Sequence, residues 1–500
     1  MGKRKIKMAG RVGEAAGSDK LGYASPFRST DCNSWYRLEG TLGEPVRKLA
    51  MTADRGRVVA MGERSVGIWN VDTGRLMHLY EAAEPSLTDL ALSPSSNQAA
   101  TAGRGDPVTI WDLDAGERHG RFLRLDPRGA PRLESVAFTP DGKTVVSGEH
   151  NRFRMGPIRL YDLVGDRGGD ALFLGAKVDD DPFTHAVAAG PDNDLVVSCG
   201  QRGFLRVFSI RTGRGLKEVR TMPKSTPSLS LTSDGRIAAL ASDTGVVELC
   251  DVIALMSVKT FPTSEKNSCA TPRFTPGDGK LIARDGSAIL VWDWAEDRLL
   301  HSLRPGKCPV MAAEPTDDGQ LVVSCTTGGM LNAWNLSTGQ RDIELTVPGE
   351  VSSLALVEKD VAVGLATGAV LVRRLHGLQL GPQILTLSRM YDRQSGKRTR
   401  LFSARCRRCG APIAGPDRVV TAIRGLLEEA RKTTWEQWRH MGIMLPPAIQ
   451  MRMIENAQAV PLTAACPACG GAIRYSPYFG AESWGLKGEP GDIPEWTRNR

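Results

Sequence analysis

The segment MLNAWNLSTGQ (330–340) recurs along the chain, and this recurrence constrains the fold more than any other feature. Each copy reads as a short strand of alternating apolar residues, then an aromatic, then a turn. The other copies are SVGIWNVDTGR (65–75), PVTIWDLDAGE (107–117), PIRLYDLVGDR (157–167), FLRVFSIRTGR (204–214), VVELCDVIALM (246–256), AILVWDWAEDR (288–298) and the eroded AVLVRRLHGLQ (369–379). The residues at the aromatic position are Trp69, Trp111, Tyr161, Phe208, Cys250, Trp292, Trp334 and Arg373, spaced by 42, 50, 47, 42, 42, 42 and 39. A period of about 40–45 residues that carries four short strands is the mark of sheets packed radially around an axis.

The turns agree with this reading. PDGK (140–143), SDGR (233–236), GDGK (277–280) and DDGQ (317–320) place Asp-Gly where a tight hairpin needs positive φ. The composition, with 54 Gly, 30 Pro and 41% hydrophobic residues, suits an array of short strands around an apolar interior. The expected fold is all-β, a β-propeller. Eight copies argue for eight blades, seven being the alternative.

Through Trp69-Asn70, Trp111-Asp112, Trp292-Asp293 and Trp334-Asn335 the chain resembles the WD-repeat β-propeller family over roughly residues 46–387. Two features depart from the family pattern. The Gly-His dipeptide before the first strand is missing throughout, so the Asp–His–Ser/Thr–Trp network cannot be complete in any blade. Cys250 and Arg373 also replace the aromatic. The resemblance implies a rigid scaffold for protein–protein assembly.

Composition divides the chain into a basic N-terminal segment (1–34), the propeller (35–388), a basic linker (389–405) and a C-terminal unit (406–500). Residues 1–34 lack periodicity and are expected to be disordered. A strand at 35–39 is expected to complete the last blade and so remove an exposed sheet edge. The net charge of +8 is uneven: residues 389–408 alone carry +7 and residues 1–20 carry +4, which leaves the propeller close to neutral.

CRRCG (406–410) and CPACG (466–470) carry the strongest chemical signal. Cys406, Cys409, Cys466 and Cys469 form the four-thiolate set that structural Zn²⁺ prefers. The pattern resembles a zinc ribbon, with a helical insertion read from apolar spacing at Val419, Val420, Ile423, Leu426, Leu427 and Ala430, and a second helix at 448–460. Four Cys would close the coordination sphere, so the metal is read as structural and not catalytic. Cys32, Cys199, Cys250, Cys269, Cys308 and Cys325 are scattered and are expected as reduced core thiols.

No G-x-S-x-G, H-E-x-x-H or P-loop occurs, and the chain is read as non-enzymatic. No apolar run reaches membrane-span length, and the N-terminus lacks the apolar core of a secretory signal, so a soluble, cytoplasmic protein without membrane contact is expected. The leading function is an interaction scaffold for protein partners. The alternative is a nucleic-acid-associated factor that uses the basic linker and the zinc ribbon. Trp435 and Trp438 are expected to cap the inserted helix, and Asp179, Asp180 and Asp181 to be solvated.

Overall fold

The computed structural model describes residues 34–375 apart from short loop segments, the longest being 123–131, 164–171 and 175–183, and beyond them five short strands and Cys466. The inserted helices, Trp435, Trp438 and Asp179–Asp181 lie outside the described residues, as do residues 1–33.

Residues 34–375 form eight four-stranded antiparallel sheets. All eight sequence copies become the third strand of a sheet, from Ser65–Asn70 in blade 1 to Met330–Asn335 in blade 7 and Val370–Arg374 in blade 8. The first strand of each blade packs on the first strand of the next. The last of these, Val351–Val357, packs on Lys48–Met51 of blade 1, so the sheets make one closed ring. The blade count is eight.

The core is divided among the seams. Between blades 1 and 2, for example, Val59, Met61, Val66 and Ile68 meet Leu87, Ala99, Trp111 and Leu113. Side chains alternate across a strand, so each blade must supply an apolar surface to both neighbours. That demand explains the runs of small buried residues in the second strands, such as Ala238, Ala239 and Ala241, all fully buried.

The aromatic of the repeat fills the widest part of a seam. Trp111 is fully buried, packs tilted against His78 at 5.5 Å and Tyr80 at 5.2 Å, and donates from its indole nitrogen to Thr101 Oγ1 at 3.0 Å. Trp334 donates likewise to Ser324 Oγ at 3.2 Å, and Tyr161 replaces Trp in a contact with Ser147 Oγ at 3.4 Å. The Ser/Thr–Trp half of the family network therefore persists where the Gly-His half is missing. Trp111→Ala is expected to cost about 3–5 kcal/mol, read as a lower denaturation midpoint with secondary structure retained.

Both turn types are self-bonded. In TADRG, TPDGK, TSDGR and TDDGQ the Thr hydroxyl donates to the Asp carboxylate at 2.5–2.7 Å. The same carboxylate accepts the amide two residues on at 3.0–3.1 Å. Gly142, Gly235 and Gly319 supply the positive φ in the last three of these turns. After the aromatic, Asn70, Asp112 and Asn335 accept backbone amides at 2.9 Å and so shape the next turn.

The ring is sutured by its N-terminal segment. Tyr36–Arg37 pairs with Val372 and Leu371 as the outermost strand of blade 8. Leu38 N donates to Val370 O, Glu39 N to Gly74 O of blade 1, Leu42 N to Gly368 O and Val46 N to Leu365 O. The Trp69 indole donates to Glu39 O at 2.8 Å. Leu38, Leu42 and Val46 are buried in the blade 8–1 core. On the face of the Asp-Gly turns the same seam carries an ion network: Arg374 grips Asp360 through Nε at 2.7 Å and Nη2 at 3.0 Å, and Arg55 Nη1 reaches Glu358 at 3.0 Å.

Glu44 fastens the other face. Its Oε1 accepts the Ser65 hydroxyl at 2.5 Å and the Arg64 and Ser65 amides at 2.8 Å. Burial alone would raise its pKa, but these hydrogen bonds outweigh burial and hold it below the ordinary value. A lowered folded pKa contributes stability that is present above the unfolded value and lost as pH falls through the folded one. Glu44→Gln is expected to cost about 1 kcal/mol at neutral pH, the carboxylate being partly solvated. Denaturation midpoints of variant and wild type are expected to converge on acidification.

Candidate functional site

Three buried or half-buried ion pairs are each closed within one blade. Glu149 pairs with Arg159, Arg206 with Glu218 at 3.2 Å and Arg236 with Asp251 at 3.1 Å. Burial pushes the Cys325 thiol up to about 12, which keeps it protonated and unreactive at neutral pH. The Tyr161 hydroxyl is likewise raised by burial to about 12. Asp234 is raised chiefly by burial and serves its own turn, donating nothing to a cleft. Cys199, Cys250 and Cys325 are buried as expected, whereas Cys308 is exposed in the loop before the first strand of blade 7. Cys32 and Cys269 lie outside the described residues.

Of the expected metal ligands, Cys466 is described and is 2% exposed, while Cys406, Cys409 and Cys469 lie outside the described residues. The backbone around both motifs is informative. CRRCG lies between Ala404–Arg405 and Pro412–Ile413, which pair antiparallel. CPACG lies between Leu462–Ala465 and Ala472–Ser476, also antiparallel. Each CxxCG therefore lies in the stretch of sequence that joins two paired strands, and the residues of that stretch other than Cys466 lie outside the described residues. Gln383–Thr386, which follows the last blade, pairs in parallel with Ala472–Ser476 and so extends the second hairpin to three strands. Among the described residues no group of three or more His, Cys, Asp or Glu is placed to hold a metal ion.

One arrangement on the rim was not legible as a site. Arg373, where the other blades carry an aromatic or Cys250, has its guanidinium over the ring of Trp35 at 5.7 Å. Trp35 donates from its indole nitrogen to Thr346 O in blade 7 at 2.8 Å. The signal was a missing aromatic in the last copy, together with a Trp at the start of the strand expected to complete that blade.

Fold and seams define an eight-bladed β-propeller. No family model matches the chain. It is 22% identical over 323 residues to autophagy-related protein 16 of Arabidopsis thaliana, an alignment covering 62% of this chain and 58% of that protein. It is 25% identical over 147 residues to WD repeat-containing protein SL1-17 of Schistosoma mansoni, covering 29% of this chain and 44% of that one. The chain thus matches between two fifths and three fifths of these relatives' length. Among solved structures it is similar to the computationally designed Ika8 protein, with TM-score 0.56 and 20% identity, covering 68% of this chain and 98% of that one. The fold and these relatives support a propeller of WD-repeat type. No helix among the described residues is long and apolar enough to cross a membrane.

Proposed function

We propose that the chain is a non-enzymatic interaction scaffold: an eight-bladed propeller that presents loops and rim to partner proteins and carries a structural zinc unit at its C-terminus. The observation that carries this reading is the sutured ring. Its seams and turns are fully engaged with one another, so loops of variable sequence are held on a frame that does not move with them. The similarity to a WD repeat-containing protein points the same way.

The zinc reading rests on the donor set and on the two antiparallel strand pairs that flank the CxxCG motifs in sequence. Cys406, Cys409, Cys466 and Cys469 would hold one Zn²⁺, which supplies cross-linking and no reaction. Four reduced thiolates suit a cytoplasmic compartment.

Cross-linking of the protein isolated with its partners tests the scaffold reading. Lys143 is exposed on the face of the Asp-Gly turns, and Lys307 is exposed in a loop on the opposite face. Partner cross-links to either lysine are expected. Cross-links confined to residues beyond 388 would contradict it and favour a role for the C-terminal unit alone.

A further inference from the structure

The last copy of the repeat replaces a core aromatic with a cation. Arg373 Nε is buried, and no hydrogen-bond partner for it exists among the described residues. Desolvation lowers its pKa, so the surroundings disfavour its charge. Its neighbours differ: Arg374 is held by Asp360 in a bidentate pair, and Arg341 by Glu344 at 2.5 Å. Arg373 has an aromatic face and, among the described residues, no anion.

Arg37 adds a second cation. Tyr36 is opposite Val372 and Arg37 opposite Leu371, which places position 35 beside Arg373. Successive side chains alternate in a strand, so Trp35 and Arg37 share one face while Tyr36 takes the other. The packing agrees: Trp35 lies on the blade 7–8 core and Tyr36 on the blade 8–1 core. Arg37 is exposed and makes no ion pair among the described residues. Across the seam, the outermost strand of blade 7, Arg341–Thr346, turns half-buried Ile343 and Leu345 toward the same side. The rim between blades 7 and 8 is therefore an apolar strip with two guanidinium groups that make no ion pair among the described residues.

We propose that this strip binds an extended acidic peptide of a partner protein, with carboxylates on Arg37 and Arg373 and apolar side chains against Ile343 and Leu345. The proposal rests on the scaffold reading and names the chemistry of one partner. Positions 35 and 37 are two residues apart on a strand, so the guanidinium groups are offset by roughly 7 Å along it. An extended Glu-x-Glu segment spaces its carboxylates by the same repeat. Two separated cations suit two carboxylates better than a single phosphoryl group, which is best held by donors converging on one point.

The test uses the full chain and a fluorescein-labelled Glu-Val-Glu-Val-Glu peptide, with Gln-Val-Gln-Val-Gln and a phosphoserine counterpart as comparisons. Fluorescence anisotropy is expected to show saturable binding of the Glu peptide, weakened by salt and at least about tenfold weaker for the Gln peptide. Arg37→Gln, whose side chain is exposed, is expected to leave the melting temperature unchanged and to weaken binding about tenfold. Arg373→Gln is expected to weaken binding about tenfold at the second contact, with the blades still folded by circular dichroism. Binding unchanged in both variants, no binding by wild type at millimolar peptide, or clearly tighter binding of the phosphoserine peptide would each overturn the proposal. If the double variant also keeps every co-purifying polypeptide, the strip is rejected as a binding site while the scaffold reading stands.

Discussion

Cys406→Ser is expected to release one Zn²⁺ per chain and to make residues 406–500 sensitive to protease while the blades stay folded. The reasoning separates two sources of stability. The ring has a core in every seam, and no residue beyond 375 belongs to these cores among the described residues. The unit's described strands are a three-stranded sheet and a pair of two-residue strands, short elements that a metal cross-link is expected to hold together. A structural zinc contributes about 10–16 kcal/mol in small peptides at neutral pH, enough to hold such a unit. Gln383–Thr386 is expected to lose its pairing along with Ala472–Ser476, since both belong to one sheet. Metal analysis of protein purified without chelator, followed by limited proteolysis and mass mapping, reads both parts. Absence of zinc, or collapse of the blades in the variant, would reject this account of the C-terminal unit.

Removal of residues 1–44 is expected to open the ring, whereas removal of residues 1–30 is expected to leave it intact. The longer deletion takes away Leu38 and Leu42 from the blade 8–1 core, the outer strand of blade 8, the acceptor of the Trp69 indole, and the Glu44 carboxylate. Two buried leucines and several hydrogen bonds amount to roughly 5 kcal/mol or more. The third strand of blade 8 would also lose its partner and present an open edge, which favours aggregation. The readouts are the denaturation midpoint and the monomer fraction after gel filtration. Equal behaviour of the two truncations would show that the segment is dispensable for closure.

The ring was legible because its constraint is periodic. Eight aromatic-position residues recurring every 39–50 residues marked the third strands, and Asp-Gly marked the first turns at 140–143, 233–236 and 317–320; in GDGK (277–280) the positive φ falls instead on Gly277 and Asp278. Closure by the N-terminal strand was also legible, because a lone strand before the first blade has one open edge to join. What escaped was the rest of the suture. Glu39, Leu42 and Glu44 have no repeat pattern, and their partners Gly74, Gly368 and Ser65 are fixed only by the closed ring. Arg373 was visible as a departure from the aromatic, but its stacking on Trp35 depends on a contact between chain positions 338 apart. At the C-terminus the Cys pattern announced a ligand set, and the hairpins around both motifs could not be read from two-residue strands such as Ala404–Arg405.

The scaffold claim meets its most direct test when the intact protein is affinity-purified at physiological salt and the eluate is divided between nuclease and buffer. Stoichiometric polypeptide partners that survive nuclease are predicted, because the frame offers loops and rim to protein surfaces. The only strongly basic stretches, residues 1–20 and 389–408, lie outside the blades. Co-purifying nucleic acid whose digestion releases every partner would contradict the account and assign the function to the basic segment instead.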